Sequence, residues 1–170
     1  IDLRRLRDEP EYRAGIERLL APVDPASPVS AGPLPATAAA TLAPAVGEPA
    51  DDGARITHVD TVDARTRDLT IESPSVGSVK VRLLLPANFD KEPGTTWPVL
   101  YLLHGSSGNH EDWTNLTDLE DLTAPTDLLV VMPDGGAEGW YADHWNLGNG
   151  GQPAWETFHT TELLQLIERN

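Results

Sequence analysis

Two short stretches hold the residues best suited to chemistry. His104-Gly105-Ser106-Ser107-Gly108 follows the apolar run PVLYLLH at 98–104. Met132-Pro133-Asp134-Gly135-Gly136 closes a second apolar run, LLVVMP at 128–133, and leads into an aromatic loop containing Trp140, Tyr141 and Trp145. Glycines flanking two small residues let backbone N–H groups turn outward and approach a ligand closely. Such a turn can supply an oxyanion-hole donor, a free amide that stabilises the negative oxygen developing during acyl transfer. The loop aromatics Trp140, Tyr141 and Trp145 either line an acyl or sugar pocket or pack the loop onto the fold.

Other chemistries find less support. Asp134, Asp143 and His144 can be drawn as metal ligands, but an acidic loop beside glycine reads more simply as solvated, and no metal is expected. His159 reads as a packing residue on a helix face, and Trp155 and Phe158 as core. The tripeptide NLT at 115–117 fits a glycosylation sequon and carries no weight alone. No G-x-S-x-G pentapeptide, the usual setting of an esterase nucleophile, occurs anywhere in the chain. HGSSG is one residue short of it and follows a strand already assigned to the oxyanion turn, so Ser106 and Ser107 are not read as nucleophiles.

The elements that must position these stretches follow from hydrophobic periodicity. RITHVDTV (55–62) and TRDLTIES (66–73) alternate apolar and polar residues as half-buried strands do. SPSVGS (73–78) is a turn, SVKVRLLLP (78–86) a strand, and ANFDKEPGTTW (87–97) a loop. The runs at 98–104 and 128–133 are apolar on both faces, which belongs in a sheet covered by helices on both sides. A short helix is expected around Trp113–Leu122. After a long loop, Gly135–Pro153, a helix is expected from Ala154 to Glu168, with Pro153 at its first position. His159, Leu163, Leu166 and Ile167 would share one face of it. Strands alternating with helices after a leading β-hairpin indicate an α/β fold with a mostly parallel sheet.

Composition sets the remaining limits. The chain has 170 residues, 12 Lys+Arg against 27 Asp+Glu, and a net charge of -15. An acidic surface repels phosphate backbones, so nucleic acid is not an expected partner. With no cysteine, disulfides, thiolate metal sites and a cysteine nucleophile are excluded. No apolar run is long enough to span a bilayer. Residues 1–20 read as an amphipathic helical segment carrying Leu3, Leu6, Ile16, Leu19 and Leu20. Residues 21–53 hold seven Pro and ten Ala, the composition of a linker or the remnant of a secretory signal. The globular domain is expected over 54–170.

Four stretches together resemble one family: SPSVG (73–77), PVLYLLHG (98–105), LLVVMPDGG (128–136) and WETFHTTELLQLI (155–167). In order and spacing they are similar to the N-terminal half of the putative-esterase branch of the α/β-hydrolases. That branch includes secreted mycolyltransferase antigens, feruloyl-type esterases and S-formylglutathione hydrolases. Residues 1–19 weakly resemble the opening of seryl-tRNA synthetases, and no function is attached to that stretch.

The family resemblance implies a serine-dependent carboxylic ester hydrolase or acyltransferase that needs no cofactor. Ser106 would supply an oxyanion-hole amide, and His104, Gly105, Ser107, Trp140 and Tyr141 would contact substrate. The mycolyltransferases have Asp-Gly-Leu-Arg where this chain has His104-Gly105-Ser106-Ser107, so their arginine contact is lost while the backbone role survives. The nucleophile elbow, the acid and the catalytic histidine would lie beyond Asn170. The chain alone is then expected to be truncated and inactive, with an acyl-ester or glycolipid-type substrate belonging to the whole protein and water or a sugar hydroxyl as acceptor. The alternative is a non-catalytic fragment or binding module using the loop 140–145. The resemblance also implies a secreted or extracytoplasmic setting. Its strand order leaves Val99–His104 on an open sheet edge, so self-association is expected.

Overall fold

The computed structural model describes residues 46–92, 94–136, 140–143 and 152–170. The helical segment expected over 1–20, the part of the linker before Val46, and His144 and Trp145 lie outside the described residues.

Three strands open the fold: β1 (Arg55–Thr61), β2 (Thr66–Ser73) and β3 (Gly77–Leu84), joined antiparallel by short turns. Their alternating sequences turn Leu69, Ile71, Val79 and Val81 into the core. Gly77, at φ 83, closes the β2–β3 turn in a backbone conformation that favours glycine. β4 (Val99–Tyr101) and β5 (Leu129–Pro133) come from the two continuous apolar runs. The sheet order is β1-β2-β3-β5-β4, with β5 antiparallel to β3 and parallel to β4. Over the described residues the sheet is therefore mixed. Its parallel pairing falls between the two runs apolar on both faces, while the short turns joining β1, β2 and β3 make their pairings antiparallel.

Helices cover both faces of β5. On one side α1 (Asp112–Leu116) and α2 (Leu119–Thr123) pack through Leu119 and Trp113 against Leu84, Leu102, Val130 and Met132. Together they occupy the span expected for a single short helix, broken where Thr117 turns extended. Arg65 fastens α2 to the sheet, donating to Leu85 O at 2.8 Å, Glu120 O at 2.9 Å and Thr123 Oγ1 at 3.0 Å.

On the other side runs α3 (Trp155–Thr157), a π-helical turn over Phe158–Glu162, and α4 (Leu163–Arg169). Phe158, Leu163 and Leu166 are fully buried against Ile71, Val81 and Val131. The wider π-turn brings residue i+5 beneath residue i, which seats Phe158 and Leu163 together and carries Glu162 inward. Pro153 does not take the first helical position. Ala154 keeps a non-helical backbone, bridges Asp143 and donates its N–H to Ser75 O at 2.9 Å, so the helix begins one residue later.

Residues 46–53, assigned to the linker from their composition, are part of the packed structure. Ala50 is buried, Val46 N donates to Ile56 O at 2.7 Å, and Asp51 pairs with Arg169 at 2.7 Å. Glu48 and Asn170 exchange two hydrogen bonds, 2.6 Å from Glu48 N to Asn170 Oδ1 and 2.9 Å from Asn170 Nδ2 to Glu48 O. Residues 46–53 are held by these hydrogen bonds, by the Asp51–Arg169 pair and by the burial of Ala50. No helix among the described residues is long and apolar enough to cross a membrane.

Candidate active site

Because β4 and β5 are parallel neighbours, their carboxyl ends release the chain side by side. Ligands of open α/β sheets bind at such a place. From β4, Leu102 still donates to Val131 O at 2.9 Å, and the chain then leaves the sheet through Leu103 and His104 into the turn Gly105–Gly108. From β5 it leaves through Asp134 and Gly135.

The turn is closed by Gly108 N donating to Gly105 O at 3.0 Å. Its third residue, Ser107, has φ 61, where a tight turn normally places glycine. Gly105, Ser106 and Ser107 are all exposed. Among the described residues no acceptor is bonded to the Ser106 amide, and no serine hydroxyl is bonded to a histidine ring.

Three ties hold this turn to the end of β5. Asp134 Oδ1 accepts the His110 backbone N–H at 2.7 Å and lies 3.2 Å from His110 Nδ1. Gly135 N donates to His104 Nε2 at 2.9 Å. Tyr141 OH donates to His104 O at 2.8 Å. The Tyr141 ring lies so close over Gly135 that a Cβ there would fall 2.2 Å from its Cε1, which is why position 135 is glycine.

The expected contact residues therefore divide. Ser106, Gly105 and Ser107 present themselves at the surface. His104 does not: it is buried, and both ring nitrogens are engaged within the protein. Tyr141 is half-buried and serves as a tie, its hydroxyl pushed up to about 12, chiefly by burial. Trp140 beside it in sequence is 78% exposed. Trp140 and Tyr141 both adopt φ 54, a left-handed backbone unusual for bulky residues and found where function or packing imposes it.

Beneath the turn lies a charged network that periodicity did not reveal. Arg82 makes a two-pronged pair with Asp68 at 2.7 and 2.8 Å and reaches Thr114 Oγ1 at 2.8 Å and Glu111 Oε1 at 3.2 Å. Asp68, His110 and Glu111 are close enough together to hold a metal ion. The Arg82 guanidinium already bonds both carboxylates there, supplying the positive charge a cation would bring. Burial disfavours an ionised Asp134, but the hydrogen bonds from the His110 ring and backbone outweigh it and hold the carboxyl below the usual range. Asp143, pictured above as a metal ligand, accepts Thr157 N at 3.0 Å and Thr157 Oγ1 at 2.6 Å, at the last residue of α3.

His159 is a packing residue, as expected. Its ring lies 5.1 Å from Tyr141 and 5.0 Å from Phe158, with Nδ1 2.6 Å from Trp155 O and Nε2 2.9 Å from Asp134 O. Burial first, against the pull of the two carbonyls, keeps it below the usual histidine range. A further buried acid, Glu162, carries no local sequence signal. Glu162 accepts the hydroxyls of Ser73 and Ser75, together with Ser75 N at 3.2 Å, and burial raises it to about 7. The residues SPS of the β2–β3 turn are thus the cradle for this carboxyl.

A mixed sheet with helices on both faces and an exposed amide turn at the carboxyl end of a strand defines an α/β-hydrolase-type domain. Residues 74–170, more than half of the chain, match the family model described as "Putative esterase", and the chain belongs to that family. It is 37% identical over 120 residues to Esterase Rv1288 of Mycobacterium tuberculosis (strain ATCC 25618 / H37Rv), covering 69% of this chain and 26% of that relative. It is 32% identical over 109 residues to the diacylglycerol acyltransferase/mycolyltransferase Ag85A of Mycobacterium leprae (strain TN), covering 60% of this chain and 31% of that one. A solved ferulic acid esterase superposes with a TM-score of 0.51 at 24% identity, over 61% of this chain and 43% of its own, a likeness of fold. The chain spans between 26% and 31% of the length of these curated relatives.

Proposed function

We propose that this chain supplies the oxyanion-binding part of a serine-dependent carboxylic ester hydrolase or acyltransferase. The observation that carries the reading is the unbonded, exposed Ser106 amide at the carboxyl end of β4, in a chain of the esterase family. A substrate carbonyl oxygen placed on that amide gains most as it becomes an oxyanion, because a preorganised donor lowers the barrier without rearranging. A serine outside these residues attacks the carbonyl carbon, its proton passing to a histidine oriented by an acid, and the alkoxide of the ester leaves with that proton. Water then releases the acyl group in hydrolysis, or a sugar hydroxyl takes it in transfer. The substrate is an acyl ester, of small-molecule or glycolipid type, and Trp140 offers an apolar flank for it. An extracytoplasmic setting accompanies the reading.

The test is hydrolysis of a p-nitrophenyl short-chain ester by the purified 170-residue chain, with and without a serine-directed phosphonate. No turnover and no labelling are expected. A reading frame extended past Asn170 through a G-x-S-x-G segment should gain phosphonate-sensitive turnover. Phosphonate-sensitive turnover by the 170-residue chain would instead make Ser106 or Ser107 the nucleophile and overturn the assignment.

A further inference from the structure

We infer that the His104 imidazole is a positioning residue that aims the Ser106 N–H outward by holding the opposite end of the same peptide unit. This rests on the acyl-transfer reading of the turn for its purpose, but not for its geometry. The Ser106 N–H and the Gly105 C=O belong to one planar trans peptide and point in opposite directions. Whatever fixes that carbonyl inward fixes that amide outward.

The Gly105 carbonyl is held twice. Gly108 N–H donates to it at 3.0 Å, and His104 Nδ1 lies 2.7 Å away. The direction of the second bond is settled at the far side of the ring. Gly135 N–H donates to Nε2 at 2.9 Å, so Nε2 carries a lone pair and no proton. The single proton of the neutral imidazole is then on Nδ1, where it donates to Gly105 O. The opposite tautomer would set a lone pair against the carbonyl oxygen and an N–H against an N–H, losing both bonds. His104 is 7% exposed, so water does not replace either. Its own carbonyl is tied by Tyr141 OH, which leaves the residue little freedom to turn.

Gly108 supports the same arrangement independently. Its φ does not require glycine, yet an added Cβ would lie 3.1 Å from Gly105 O and 3.1 Å from His104 Nδ1, and 2.2 Å from Asp112 Oδ2. A side chain at position 108 would crowd the Asp112 carboxylate and press on both the histidine and the carbonyl. A carbonyl that accepts two hydrogen bonds also polarises its peptide, making the N–H at the other end a stronger donor. The ring thus both orients and sharpens the amide that the proposed oxyanion would meet, without touching substrate.

The experiment uses the 170-residue chain labelled with 15N and 13C. Long-range 1H–15N spectra of His104 should show a neutral ring protonated at Nδ1, and protonation at Nε2 would overturn the inference. Two variants separate the two bonds. His104→Asn keeps a donor near the Nδ1 position and loses the Nε2 acceptor. His104→Gln keeps an acceptor near Nε2 and loses the Nδ1 donor. The Gly105 carbonyl 13C and the Ser106 amide signals should stay near their native positions in the Asn variant. In the Gln variant, and in Gly108→Ala, the carbonyl signal should move upfield as a donor is lost. Equal displacement in the Asn and Gln variants would overturn the inference. If neither variant folds, as judged by the Val130–Met132 amide signals, the native tautomer alone decides. None of these readouts depends on ester turnover, so loss of the esterase reading and loss of this one are told apart.

Discussion

One carboxylate oxygen binds His110 at two points: Asp134 Oδ1 accepts its backbone N–H at 2.7 Å and faces its ring Nδ1 at 3.2 Å. The two residues are 24 apart in sequence and lie on loops leaving different strands. This contact sets the spacing between the Gly105–Gly108 turn and the end of β5, and with it the mouth of the candidate site.

Asp134→Ala should release that mouth. Removing the acceptor strands a part-buried backbone N–H, a loss of about 1–3 kcal/mol, read as a lower urea midpoint at unchanged slope. The amides of Gly108 and His110 should exchange faster with solvent while those of Val130 and Val131 keep their protection. The native protein should also lose this contribution in acid. The Asp134 carboxyl sits below its ordinary value of 3.8 in the folded state, so its stabilisation is complete above that value and is lost as pH falls through the lower, folded one. A variant that matches the native acid melt would show the double bond to be idle.

Glu162 should give the opposite pH dependence. Burial raises it from 4.5 to about 7, so the folded state holds its proton more tightly than the unfolded state. Stability is then full below 4.5 and declines as pH rises through about 7, where a buried carboxyl must ionise. Glu162→Gln keeps the shape and removes the titration. Thermal melts at pH 5 and pH 8 should show a drop for the native chain and a smaller one for the variant. Parallel drops would mean that some other group governs the slope.

The open side of β4 should make the 170-residue chain associate. Among the described residues β4 is the last strand of its side, and Val99 is 39% exposed on it with no charge on the strand itself. Sedimentation velocity at low and physiological salt should show species larger than monomer, increasing with salt as the repulsion of a net charge of -15 is screened. Val99→Lys should return the chain toward monomer. A monodisperse native monomer at both salts would show the edge to be covered.

Much of this arrangement was legible because burial leaves a periodic trace. Leu69 and Ile71 alternate with polar neighbours, and Val130, Val131 and Met132 form an unbroken run, so β2 and β5 could be read directly. The run at 98–104 promised a longer strand than the three residues of β4, because Leu103 and His104 are apolar or buried for the sake of the turn and not of the sheet. The packing of 46–53 is not legible in its own composition, because the side chains that hold it, Arg169 and Asn170, lie far along the chain. The turn at Ser106 could be placed by its glycines. Its supports could not: Asp134 meets His110 from 24 residues away through a contact that no local pattern encodes, and the Glu162–Ser73 contact at the β2–β3 turn, across 89 residues, is equally hidden. The π-turn at Phe158–Glu162 also escaped, since its sequence suits an ordinary helix.

The exchange of hydrogen bonds between Glu48 and Asn170 has a consequence for the order of events in the cell. The partners are 122 residues apart, so a ribosome adding roughly 5–20 residues per second needs on the order of ten seconds between making the first and the second. During that interval Ala50 has no α4 to shelter it, and the Leu69–Ile71 face of the early hairpin stays open to water. The last residues described here act as the clasp that shuts the first ones in. Translation pausing shortly before Leu163 is added should therefore prolong the exposure of that face and raise the demand for chaperones, whereas a pause after Asn170 has cleared the exit tunnel should not.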